Sequence, residues 1–481
     1  MKNRPLAILL VFLAALTVVR MFLAATLELS PDEAYYYAWS LRPAAGYLDH
    51  PPMVAWMIHV ATSVFGRSEL AIRLPAILSG VLVPVIIYLT AVEAGAAASW
   101  ALIATIVGVL TPLMTAGAII VTPDTPLSIF WAAGALVLVR IVTRPASGLD
   151  MLAVSASLGV FMGLAMLSKY TGAALALVSV VMIIFIPWRR RGLIWLALIP
   201  AVVSLCVWLP NLVYNMNAGF RSMAFQWDHL FPWKLGEELK QFPEFMGGQI
   251  GVAGPFLFAG VLWVFKNMFS GEVAPGLRAL QISTAIPLFV ATFAALFGKV
   301  EPNWPAMAYI GAIPALAVML SSVKATLLLK RTMIAAVTFG AVATTIITVH
   351  AAVPFLPIPA DRDPVLQQLY GWREMTEGVL SHVRSAGDAD RRVVTFSYRI
   401  ASELYYYSGD KLETLCLDRR FTNVKDIPAG GAAKWITVEP YPAKRSESLM
   451  KLSCRKSYRR NGVISTWGDS VIRRVDVMWC E

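Results

Sequence analysis

Charge is what this chain has least of. Only 15% of its 481 residues are Asp, Glu, Lys or Arg, while 57% are hydrophobic. A soluble domain of ordinary composition carries roughly 25% charged residues, so a freely soluble enzyme is excluded. Disorder is excluded by the same apolar content. Cysteine is scarce, four in all, with no CxxC or Cys/His spacing that would hold structural zinc. No GxxxxGK(S/T) is present, so a nucleotide-driven pump is not indicated, and HExxH and GxSxG are missing too. A Rossmann-type nucleotide-sugar site is absent. So are paired halves with matched broken helices, which weakens a transporter reading.

What remains is unevenly distributed. Residues 1–352 carry 21 Lys and Arg against 14 Asp and Glu, and residues 353–481 carry 20 against 16. The first part reads as lipid-embedded, the second as a small water-soluble domain mixing helix and strand. The formal net charge of +11 need not mean nucleic acid, because membrane proteins place basic residues in cytoplasmic loops.

Apolar runs lie at 5–26, 70–92, 99–119, 125–142, 150–168, 171–187, 192–213, 252–266, 279–298, 306–322 and 332–353. They predict a mostly α, polytopic protein of about 11 membrane helices. The first run is too long for a signal h-region and is read as a retained span. With the N-terminus inside, Lys2, Arg4, Arg140, Arg144, Arg189, Arg190, Arg191, Lys266, Arg278, Lys324, Lys330 and Arg331 fall on the cytoplasmic side. Most acids fall opposite, and an odd number of spans sends the tail outside. Two outer segments are long, about 27–69 and 214–251, and rich in aromatics and proline. They suit amphipathic helices with rings at headgroup level. In the tail, 363–385 reads as a helix. Strands are expected at 391–397, 434–439 and 463–467, and 400–407 fits either state. Cys206 lies in a span and reads as inert packing. Cys416, Cys454 and Cys480 allow one disulfide and one free thiol, without choosing the pair.

The candidate chemistry lies on the outer turns. Ser30-Pro31-Asp32-Glu33 places two acids after a proline directly beyond the first span. Such acids could act as general base, metal ligand or proton relay, or could complement a helix N-terminus capped by Ser30. Asp49-His50-Pro51-Pro52 sets an acid beside a histidine in a proline-locked turn. Asp49 could orient His50, or both could touch phosphate or a divalent metal; a rigid turn is the plainer reading. Arg73, at the start of the second span, could snorkel to headgroups or hold a lipid phosphate. Asp124 sits in a turn too short for a solvated loop, and either works near the membrane plane or caps its helix. Lys169 breaks the positive-inside pattern, which suggests an anionic partner. Glu301 and Asn303 stand in a third short turn after Lys299. Charge on several separate turns points to one shared cavity; singly, each could be an interface anchor. Gly371-Trp372-Arg373-Glu374 and Ser402–Tyr407 stand out in the tail, the latter readable as simple core.

PDEAYYYAWS, GYLDHPP, AIRLP, TPDTPLSIFW, GLAMLSKYTG, VEPNWPA and GWREM, in this order, resemble the bacterial polyprenyl-phosphate-sugar glycosyltransferases of the GT-C fold. These are relatives of the protein O-mannosyltransferases (glycosyltransferase family 39, PMT-like) and of the aminoarabinose transferase of lipid A. The resemblance covers the membrane part nearly end to end. It implies a lipid-phosphate-linked sugar donor, which needs no nucleotide site. It places Asp32 at the reaction centre, with Glu33 a weaker candidate and Asp124 the second acid. Lys169 and Arg73 match family basic residues. Asp49 and His50 stand where the aminoarabinose transferases carry an acid and a lysine, so a titratable group replaces a fixed charge. The implied reaction is inverting transfer to a lipid (lipid A or core), glycan or protein acceptor, with no required cofactor and a divalent metal at Asp49 and His50 as an option. The implied location is the periplasmic face of a bacterial inner membrane. The rival is a flippase of lipid-linked sugars, which predicts acids deep within spans; Asp32, Asp49 and Asp124 are all at outer ends.

Overall fold

The computed structural model describes residues 4–144, 148–185, 193–230, 242–269, 271–385, 392–409, 412, 414–418, 435–441 and 458–480. Packing sorts the chain into two units, one of residues 1–22, 44–57 and 73–347, the other of 23–43, 58–72 and 348–481. The outer segment 27–69 thus feeds both units.

The helices of the membrane part are α1 (Arg4–Thr26), α2 (Pro31–Ser40), α3 (Met53–Phe65), α4 (Glu69–Glu93), α5 (Ala98–Val109), α6 (Pro112–Gly117), α7 (Asp124–Thr143), α8 (Gly148–Ser168), α9 (Ala173–Phe185), α10 (Leu193–Asn217), α11 (Arg221–Leu230), α12 (Phe242–Met268), α13 (Pro275–Ala294), α14 (Ala306–Ser322) and α15 (Leu327–Ala352). Eight of them, α1, α4, α7, α8, α10, α12, α13 and α15, are long and apolar enough to cross a membrane, and the chain is a multi-pass membrane protein. The expected runs at 171–187 and 306–322 form shorter apolar helices. The run at 99–119 is not one helix. Thr111 caps a new helix with its side chain on Met114 N, and Pro112 begins it, so α5 stops and α6 restarts.

In the first unit, α14 is buried on nearly every face from Met307 to Leu320, as a helix apolar all round must be. Its Ile313 fills the space left by Gly108 of α5. Gly159 and Gly163 of α8 face α10. A Cβ on Gly159 would come within 2.7 Å of the Pro200 carbonyl oxygen, and one on Gly163 within 2.8 Å of that of Ser204. Small residues four apart bring two backbones together where lipid supplies no hydrophobic drive. The opposite face of α10 leaves Leu198, Val202, Leu205, Leu209 and Val213 uncovered by protein, at the spacing of one helical stripe, as expected of a lipid-facing side. Cys206 is exposed on this helix, not packed in a core. α12 breaks at Gly254, φ 73°, just before Pro255, which cannot donate to the helix ladder.

The second unit holds α16 (Pro364–Leu369), α17 (Trp372–Ser385), α18 (Tyr398–Tyr407), β1 (Arg392–Thr395), β2 (Thr414–Cys416), β3 (Trp435–Pro440), β4 (Tyr458–Trp467) and β5 (Ser470–Cys480). The sheet order is β2-β1-β3-β5-β4. β1 pairs in parallel with β2 and β3, and β5 runs antiparallel to β3 and β4. Trp372, Met375, Val379 and Val383 of α17 and Ile400 and Leu404 of α18 share a core with Val393, Ile436, Val438, Val463, Val475 and Val477. The expected helix 363–385 is two helices. Asp363 caps α16 through Val365 N and Leu366 N, and the chain turns at Gly371, φ 79°, a backbone conformation that glycine adopts without strain. The ambiguous 400–407 segment is helix. Cys416 is free and buried, and burial pushes its thiol up to about 12; Cys454 lies outside the described residues.

Candidate active site

α2 begins with a reciprocal cap. Glu33 N donates to Ser30 Oγ at 3.4 Å, and Ser30 N donates to Glu33 Oε2 at 2.9 Å. Pro31 occupies the first helical position. Ser, Pro and Glu at these positions are the local instruction for a helix start. The cap divides the two adjacent acids. Glu33 is wholly buried, with its carboxylate on the cap, whereas Asp32 is exposed. Tyr398, the first residue of α18, donates its hydroxyl to Asp32 Oδ1 at 3.0 Å.

The aromatic residues of α2 are covered by protein. Tyr35, Tyr36, Tyr37 and Trp39 are 2%, 7%, 4% and 8% exposed, because they pack inside the second unit. Tyr35 meets the Tyr398 ring at 5.2 Å between centroids, and Tyr37 meets Tyr406 edge-on at 5.2 Å. Leu29 N donates to the Tyr407 hydroxyl at 2.8 Å. Burial, reinforced by Glu403, pushes that hydroxyl well above its usual range, so it stays neutral. The GWREM segment fastens the same region. Trp372 N donates to Glu28 Oε2 at 2.7 Å, and Arg373 reaches Glu69 at 2.7 Å. The Arg473 guanidinium lies 3.2 Å from the Trp372 ring centroid. Sequence reasoning missed Tyr398, whose partner lies 366 residues away.

The first unit holds the remaining candidates. Asp124 opens α7, and Lys169 Nζ lies 2.9 and 3.0 Å from its two carboxylate oxygens, with both side chains largely covered, 15% and 21% exposed. Asp124 is not a cap: Pro123 holds the cap position and no side chain bonds there. A mostly apolar pocket beside Asp124 is lined by Arg20, Ser79, Thr122, Thr125 and Met307. Arg20 is a buried arginine that the sequence reading passed over; it donates to the Gly80 carbonyl at 2.9 Å. Arg73 is fully buried, so it does not snorkel. A guanidinium taken from water needs polar company.

Asp49 is buried and His50 half-buried. The Asp49 carbonyl accepts from Gln226 Nε2 at 2.5 Å, and Tyr47 N donates to the His50 carbonyl at 3.0 Å. The turn is braced further by Asn211 Nδ2 on the Ala45 carbonyl, 2.9 Å. Asn215 Nδ2 reaches the Tyr170 hydroxyl at 3.0 Å, and that hydroxyl lies 2.8 Å from Ser222 Oγ. Asn211 and Asn215 are fully buried. Their one signal in sequence is two amides four residues apart in an apolar run. Glu301 pairs with Lys299 at 3.3 Å on the surface, 55% and 64% exposed, and Asn303 contributes its carbonyl to the turn, accepting from Ala306 N. Among the described residues, no group of three His, Cys, Asp or Glu gathers to hold a metal; Asp49 and His50 offer two donors.

The chain is similar to several known proteins. Residues 49–214 match the family described as dolichyl-phosphate-mannose-protein mannosyltransferase. The lipid A galacturonosyltransferase RgtD of Rhizobium johnstonii is 27% identical over 290 residues, 58% of this chain and 58% of that protein. The alignment therefore spans less than two thirds of that relative. The crystal structure of ArnT from Cupriavidus metallidurans bound to undecaprenyl phosphate superposes with a TM-score of 0.68 at 16% identity, covering 97% of each chain. The same protein in the apo state gives 0.66 at 15%, again over 97% of each chain. The archaeal oligosaccharyltransferase of Archaeoglobus fulgidus gives 0.54 at 15% identity, over 84% of this chain and 62% of that one.

Proposed function

We propose that this chain, which has the GT-C fold, is an inverting glycosyltransferase that moves a sugar from a polyprenyl-phosphate carrier to lipid A. Core sugars, another glycan or protein are the alternative acceptors. The observation that carries the reading is the separation of Asp32 from Glu33. One acid is consumed by the helix cap and the other is presented with its carboxylate held. The likeness over 97% of each chain to ArnT, crystallised bound to undecaprenyl phosphate, supports the donor class, and the likeness to a lipid A galacturonosyltransferase supports the acceptor.

In this reading Asp32 accepts the proton of the acceptor hydroxyl. The acceptor oxygen bonds the anomeric carbon from the face opposite the phosphate, and the bond from carbon to phosphate oxygen breaks, releasing the carrier phosphate. Charge grows on the leaving phosphate, where a fixed cation stabilises it. Lys169 is assigned that task. An ammonium has three N–H donors; Asp124 takes two directions and fixes the third. His50 is assigned to the donor phosphate and sugar as well, with Asp49 orienting the turn, and Arg73, fully buried, is assigned to the donor phosphate through its fixed charge, not by contact. Where the acceptor is itself a phosphate, no base is needed and Asp32 positions it. The reading calls for no cofactor. It places the reaction on the periplasmic side of a bacterial inner membrane, with the N-terminus in the cytoplasm and the tail outside, as the distribution of Lys and Arg favours.

The test is transfer by purified protein, with a panel of polyprenyl-phosphate sugars and membrane lipid, read by mass spectrometry as a product heavier by one sugar. Loss of that product in Asp32→Asn supports the assignment. Donor binding with no transfer to any acceptor would favour a flippase.

A further inference from the structure

We infer that Tyr398 is a positioning residue for Asp32, so that the tail helix α18 belongs to the reaction machinery and is not merely a covering domain. The inference rests on the transferase reading above.

Asp32 stands on the exposed side of α2, where an aspartate would otherwise rotate among its staggered states. A general base must offer one lone pair in one direction. The Tyr398 hydroxyl, 3.0 Å away, engages Oδ1, which leaves Oδ2 as the oxygen to take a proton. Both groups are mounted rigidly. Asp32 is the second residue of a helix fixed by a reciprocal cap. Tyr398 is the first residue of a helix capped by Ser397, immediately beyond β1, an inner strand of the sheet. The Tyr398 ring is seated on Tyr35, itself 2% exposed. Packing alone would be satisfied by a phenyl ring, so the hydroxyl is what distinguishes this residue. A hydrogen bond between groups open to solvent adds little to stability, because water competes for both partners. Its effect is therefore on orientation.

α18 also supplies the control. Tyr407 takes the backbone N–H of Leu29, which is a structural bond at the start of the same segment. Tyr398→Phe and Tyr407→Phe each remove one hydroxyl from one helix. Tyr398→Phe should lower kcat about tenfold, with the KM values for donor and acceptor and the unfolding temperature unchanged. Tyr407→Phe should lower the unfolding temperature and leave kcat within about twofold. Equal kcat in wild type and Tyr398→Phe, or the same kinetic loss in both variants, overturns the inference. Carbodiimide labelling of the peptide carrying Asp32 reads the contact without turnover. It should rise severalfold in Tyr398→Phe and not in Tyr407→Phe, and unchanged labelling overturns the inference. A wild-type protein that transfers no sugar sinks the transferase reading instead, and the two failures are thereby distinct.

Discussion

Lys169 holds both carboxylate oxygens of Asp124, at 2.9 and 3.0 Å, across 45 residues of sequence. The pair is largely sheltered from water, so neither charge is easily left alone. Lys169→Met or Asp124→Asn is expected to destabilise the protein by about 1.5–3 kcal/mol, the range for hydrogen bonds to charged groups. The double variant should lose less than the sum of the two. Unfolding measured across this mutant cycle checks the coupling. In turnover, Lys169→Met should also lower kcat, because the cation is assigned to charge that grows in the transition state, whereas additive stability losses would show the pair to be incidental.

Asp32 and Glu33 are expected to separate cleanly. Asp32→Asn should reduce kcat by about 10²–10⁴, the usual worth of a positioned acid or base. Its unfolding temperature should not move, since exposed substitutions rarely do. Glu33→Ala should do the reverse. It removes half of the cap, at about 1 kcal/mol, and should retain turnover. Paired kinetics and thermal unfolding of the two variants decide this.

The cap motif Ser-Pro-Asp-Glu was legible from sequence because it is local: spacing alone tells which atoms meet. The division of labour within it was not, since nothing local says which side of α2 the rest of the chain covers. The same limit hid Tyr398 and the Asp124–Lys169 bond. Each residue was conspicuous or plain by itself, and the pairing is a product of the fold. Membrane spans were legible where apolar length is unambiguous. The run at 99–119 misled because Thr111 and Pro112 are apolar enough to keep the run going yet restart the helix. β5 escaped notice because Arg473, Arg474 and Asp476 interrupt its apolar alternation.

Gly159 and Gly163 are expected to be intolerant of side chains. Gly163→Val would press on Val207 and the Ser204 carbonyl oxygen, where even a Cβ would come within 2.6 and 2.8 Å. Overpacking of this kind destabilises by about 1–3 kcal/mol. Thermal unfolding in detergent should fall accordingly. An unchanged transition would mean that α8 and α10 do not pack as described.

Cys416 should be silent to alkylation in the folded protein. Its thiol is buried and pushed up to about 12, and the thiolate is the reactive form. Iodoacetamide at pH 8 should leave the peptide carrying Cys416 unmodified until denaturant is added. Rapid labelling of that peptide in the folded protein would contradict the burial of Cys416.

Glu28 gives the stability a dependence on pH whose sign can be worked out. Burial is the leading influence on its carboxyl and raises it above the ordinary range, against the lowering pull of the Trp372 and Arg373 backbone donors. The folded state therefore binds the proton more tightly than the unfolded state. The stabilisation from this group is full below the ordinary carboxylate range, and is lost as pH rises from there through the raised value. Glu28→Gln keeps an oxygen that can accept from Trp372 N and carries no charge to desolvate. The wild-type unfolding temperature should thus fall across that interval relative to Glu28→Gln, and the two curves should run parallel above it. A wild type that instead gains on the variant as pH rises would mean that the ionised carboxylate, bound by those two N–H groups and drawn toward Arg373 and Arg473, is the favoured form.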